Sequence, residues 1–72
     1  MSGSEHWWVR RYQLLISEGP EVAADEFNRT RPVPREMDLT YAHGAIQAAL
    51  RIYDLKLASL WSRYAYLVRT TK

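Results

Sequence analysis

No cysteine occurs among the 72 residues, so neither a disulfide framework nor a thiolate metal site can support the fold. Histidine is almost as scarce. His6 and His43 stand alone, with no second histidine or carboxylate at the four-residue helical spacing a metal site uses. Glycine and proline number three each. They assemble neither a glycine-rich phosphate loop nor a G-x-S-x-G nucleophile turn. Strand signals are missing too: nowhere do apolar and polar residues alternate over five positions with β-branched enrichment. Arg51, Asp54 and Lys56 interrupt the longest apolar stretch near its middle, which argues against a membrane span. The amino terminus, MSGSEHWWVRR, lacks the basic-then-apolar order of a signal peptide. No enzyme activity, cofactor, metal or small-molecule substrate is therefore expected. A chain of this size also leaves little room for a pocket of several hundred cubic ångströms.

What is present is apolar and aromatic. A hydrophobic fraction of 47%, with three Trp and five Tyr, excludes a disordered tail. One domain spanning 1–72 is expected, in the size range where a lone core is marginal without a staple or a partner. Net charge is +2 with pI near 9.2, which permits an acidic partner without demanding one. A cysteine-free chain fits a cytoplasmic setting.

The punctuation of the chain predicts an all-α fold of two short helices and one long one. Ser2 and Glu5 have capping-box spacing, opening a helix over 3–17 with Trp8, Val9, Tyr12, Leu15 and Ile16 on one face. Gly19-Pro20 ends it, and Pro20 also suits the first turn of a short helix over 20–28. Val22, Ala23 and Phe27 of that helix face inward. The segment 29–36 reads as a loop, because Pro32 and Pro34 push their predecessors out of the helical region. A long helix over 38–69 follows, capped by Asp38 or Thr40, with a start as early as Pro34 also open.

That last segment shapes the functional expectation. Ile46, Leu50, Tyr53, Leu57, Leu60, Tyr64 and Leu67 recur at alternating steps of four and three, the period of a helix packed against another helix. Unbroken, such a helix would span roughly 45 Å, against about 30 Å for a compact domain of this size. Gly44 and Ala48 add a small-residue stripe that lets two backbones approach closely. The expectation is a bundle completed by antiparallel dimerisation through Gly44, Ala48, Leu50, Tyr53, Leu57, Leu60, Tyr64 and Leu67. Trp7, Arg10, Arg11, Trp61, Arg63 and Tyr66 are the candidate surface for a larger protein, since Trp, Tyr and Arg are enriched at binding hot spots. Only one of the adjacent Trp7 and Trp8 can enter the core, because they point about 100° apart. Trp7 is the candidate anchor.

The chain thus reads as a non-catalytic helical interaction module: an adaptor, accessory subunit or inhibitor. The alternative is a basic helical regulator gripping nucleic acid through Arg51, Lys56, Arg63 and the arginines around Pro32, with aromatics available for stacking.

Overall fold

The computed structural model describes residues 7–71. Its described residues form four α-helices and no strand: α1 (Trp7–Ser17), α2 (Pro20–Thr30), α3 (Arg35–Arg51) and α4 (Leu55–Thr70). The capping box, His6 and the expected helix start at residue 3 lie outside the described residues. At the α1–α2 junction Gly19 has φ 104°, a conformation that glycine alone adopts readily. Its carbonyl accepts from the Ala23 amide at 3.1 Å, and Pro20 is the first residue of α2. Helix α2 runs two residues past the expected end and stops at Arg31, left-handed at φ 47°.

The expected single helix over 38–69 is two helices folded back on each other. Gly44 lies within α3, and the break is elsewhere. It falls at Ile52–Asp54, closed by a Schellman arrangement: the Tyr53 amide donates to the Leu50 carbonyl at 3.0 Å, and the Asp54 amide to the Ala49 carbonyl at 2.8 Å. Tyr53 takes the left-handed position at φ 60°, where glycine is usual. Asp54 then caps α4, its Oδ1 accepting from the Leu57 amide at 3.0 Å. A straight rod would overrun the fold, whose largest extent is 31 Å; the hairpin fits within it and lets α3 cover α4.

Helix α3 begins at Arg35, at the early end of the expected range, with Pro34 as its cap residue. Asp38 is consequently no cap. It lies one turn inside the helix and is 2% exposed. Thr40 is likewise internal, its hydroxyl donating back to the Glu36 carbonyl.

Helix α4 is the central element, packed on α3, α2 and α1. Leu15, Phe27, Tyr64 and Val68 are fully buried around it, with Ala23, Ala24, Ala42, Trp61 and Ala65 filling between. Small alanines at the contacts let helix axes approach closely, while the few large side chains fill the gaps between layers. Helices α1 and α3 share α4 as a neighbour yet scarcely meet each other. Among the described residues no helix is long and apolar enough to cross a membrane.

Candidate functional site

The separation of α1 from α3 leaves a groove of about 670 Å³. One wall is α1, with Trp7, Trp8 and Tyr12; the other is α3, with Thr40, Tyr41, Gly44, Ala45, Ala48 and Ile52. Leu57 and Trp61 of α4, with Ala49, line it from below. So short a chain is expected to have little room for such a space, and the groove exceeds that expectation. Close packing of the two backbones would have filled it, but α1 packs chiefly on α2 and α3 on α4, and α1 and α3 meet through the Trp7, Trp8 and Tyr41 rings.

The walls are aromatic. Trp7 meets Tyr41 edge-on with ring centroids 5.2 Å apart, and Trp8 lies nearly parallel to Tyr41 at 6.3 Å. Tyr12 is stacked over Trp61 at 6.3 Å, and Trp61 meets Tyr64 edge-on at 5.5 Å. Trp8, Tyr12 and Tyr41 are 44%, 41% and 51% exposed, so their faces stand open to solvent. The α3 wall is low where the aromatics stop: Gly44 and Ala48 are exposed, and nothing lies within 4 Å of where a Cβ on Gly44 would sit.

Two buried charged side chains, Arg11 and Asp38, also line the groove. Arg11 is 3% exposed. Its Nη1 donates to Glu26 Oε1 at 2.7 Å and to the Ala23 carbonyl at 3.0 Å, with the guanidinium over the Phe27 ring. Its Nε has no acceptor. Glu26 also accepts from Arg10 Nε at 2.8 Å. Burial pushes the Glu26 carboxyl up, but the bonds and charges of the two arginines outweigh it and hold the group below its usual range. Asp38 accepts a 2.6 Å hydrogen bond from the Tyr64 hydroxyl. Here burial wins over that bond and over the charge of Arg11, so the Asp38 carboxyl sits above its usual range. Tyr64 is driven well above the ordinary tyrosine value by burial and by the carboxylate it donates to.

The residues expected to form a dimer seam divide between core and surface. Tyr64 is fully buried, and Leu57, Leu60 and Leu67 pack against the chain's own core. Because α4 is sheltered by α2 and α3, these four have little surface for a second chain. Gly44, Ala48, Leu50 and Tyr53 are exposed. Among the candidate partner-binding residues, Arg11 and Trp61 are buried, Arg11 tied down by Glu26 and Trp61 seated between helices. Arg10, Arg63 and Tyr66 are exposed, with Arg63 over the Tyr66 ring on a face of α4 outside the groove. Trp7 is half-buried, and its neighbour Trp8 is the more exposed of the two. Tyr41 and Asp38 join the groove lining without having been candidate binding residues. Trp8 and Tyr12 on α1 stand four apart, and Tyr41, Gly44 and Ala48 on α3 stand three and four apart; this helical spacing is the signal the sequence offers.

Beside the groove, the α3–α4 turn exposes Ile52, Tyr53 and Leu55 at 69%, 87% and 68%. Basic residues do not gather into one patch: Arg29 pairs with Asp25, Arg63 with Glu21, and Arg10 and Arg11 with Glu26. No group of metal-ligating side chains forms among the described residues. The chain matches no family model, no curated protein and no solved structure.

Proposed function

We propose that this protein is a non-catalytic interaction module, an adaptor, accessory subunit or inhibitor, that receives an apolar helix of another polypeptide in the α1–α3 groove. The observation that carries the reading is the groove itself: about 670 Å³ between two helices whose backbones stand apart and which touch through a few aromatic side chains. Helix-in-groove recognition uses an apolar ridge spaced at i, i+3, i+4 and i+7. The 17-residue α3 offers such a ridge roughly 25 Å of wall. Gly44 and Ala48 allow a second backbone close to α3, while Trp8, Tyr12 and Tyr41 supply rigid aromatic area beside it. Of the cations on which the nucleic-acid alternative rests, Arg29 and Arg63 face Asp25 and Glu21, while Arg31, Arg51 and Lys56 form no ion pair among the described residues and keep that alternative an outcome of the test below.

A photo-crosslinking residue at Ala48 tests the reading, with one at Gln13, exposed and outside the groove lining, as control. The expected result is one polypeptide captured in the native host from position 48 and not from 13. Equal capture from both, or recovery of nucleic acid, would reject it.

Self-association is a second reading, favoured by the open space above Gly44. It would join two α3 faces rather than two long rods. Sedimentation equilibrium with Gly44→Leu as control decides it, since a dimer unaffected by that change does not use this face.

A further inference from the structure

Resting on the groove as a helix-docking site, we propose that the docked helix carries one lysine or arginine among its apolar contacts, and that this cation ends on Asp38. Asp38 lines the groove and is 2% exposed. Its hydrogen bond comes from a neutral hydroxyl, Tyr64 Oη at 2.6 Å, and no cationic group of the described residues lies within ion-pair distance of it. A buried carboxylate without a cation is expensive, and such groups are ordinarily paired. Arg11 shares the groove lining but is engaged elsewhere, on Glu26 and the Ala23 carbonyl. Burial already outweighs what Tyr64 and Arg11 do for the charge on Asp38.

The approach to Asp38 suits a cation on an apolar stem. Trp7, Trp8, Tyr12 and Tyr41 line the same space, and aromatic faces attract Lys and Arg while accommodating their methylenes. The competing chemistry is an acidic or amide side chain aimed at Arg11 Nε, which lacks an acceptor. That is the weaker pull, because the Arg11 charge is met by Glu26 at 2.7 Å whereas the Asp38 charge has no counterpart in contact among the described residues.

A displayed library of amphipathic helical peptides, about five turns long, with the apolar-face positions randomised, is selected on the intact protein. Selected peptides should share one Lys or Arg at a fixed apolar-face position. Replacing it with norleucine should weaken binding at least tenfold, about the scale of a desolvated charge pair. Against the Asp38→Asn protein that loss should vanish. The peptide-side replacement keeps the test valid if Asp38→Asn fails to fold. Peptides that bind in the groove, as judged by loss of binding to Trp8→Ala, but show no basic preference overturn this inference and leave the docking reading standing. Enrichment of Asp or Glu does the same. Recovery of no groove-dependent peptide overturns both.

Discussion

Helix α4 is flanked by α2 on one side and by the splayed pair α1 and α3 on another, and the two flanks are built differently. Against α2 the contact is alanine and one phenylalanine: Ala23, Ala24 and Phe27 are 0–3% exposed, and the Arg11–Glu26–Arg10 chain ties α1 to α2. Toward the α1–α3 side the rings are larger and more numerous, yet Trp8, Tyr12 and Tyr41 remain 41–51% exposed. Large aromatics hold most burial energy per residue. One flank is thus sealed with alanines while the other leaves its rings wet, and on the proposed reading the second flank is the one that binds.

The comparison breaks most sharply by exchanging the damage. Phe27→Ala removes a fully buried ring and should cost about 3–5 kcal/mol in urea denaturation, a large share of what so short a chain can have. Trp8→Ala removes a larger side chain but should cost under about 1 kcal/mol, its effect appearing in partner binding instead. Similar losses from the two would mean that the groove is closed in solution.

The carboxylates of the two regions should titrate in opposite senses. Glu26→Gln should cost about 2 kcal/mol at neutral pH through its charged hydrogen bonds. Since the folded Glu26 value lies below the ordinary 4.5, that deficit is complete above the unfolded value and closes as pH falls through the folded one. Asp38 runs the other way. Its folded value lies above the ordinary 3.8, so its protonated form favours the fold below that value and the advantage is lost as pH rises through the folded value. Asp38→Asn should therefore gain on the wild type as pH rises from 3.8. Chemical denaturation at four pH values reads both slopes, and parallel slopes would remove the distinction.

How much of this was legible depends on what marks each feature locally. The helical class is written in the periodicity, and the α1–α2 junction in Gly19-Pro20, because these signals act over a few residues. The α3–α4 turn was hidden by its own composition. Its left-handed position holds Tyr53 rather than glycine, and the apolar heptad continues across it through Leu50 and Tyr53, although both are exposed. Asp54 is a sound N-cap residue, but within a continuous apolar pattern it read as an interruption of one helix rather than the start of another. The groove was least legible. An apolar stripe on α1 looks the same whether its partner helix packs against it or stands away, and only the tertiary arrangement decides that.

The turn offers a milder test. Tyr53 is 87% exposed and so contributes little burial, while a left-handed non-glycine residue costs roughly 1–2 kcal/mol. Tyr53→Gly should stabilise the fold by about 1 kcal/mol, partly offset by the freedom glycine adds to the unfolded chain. Thermal unfolding should shift upward by roughly 4–8 °C. A drop would mean that Tyr53 is held by contacts in solution, as a second chain seated on the turn would provide.

The smallest expected effect falls at the groove wall. Within a helix, alanine is favoured over glycine by up to about 1 kcal/mol, and a Cβ at position 44 would meet nothing within 4 Å. Gly44→Ala should therefore raise stability by roughly 0.5–1 kcal/mol. The same methyl would occupy space where a docked helix brings its backbone close, so partner affinity should fall while the fold gains. Opposite signs in the two measurements tie the retention of glycine to binding rather than to folding. Stability that falls would instead place α1 against α3 at this point. Unchanged affinity would move the contact away from the Gly44–Ala48 edge and onto the aromatic wall of α1.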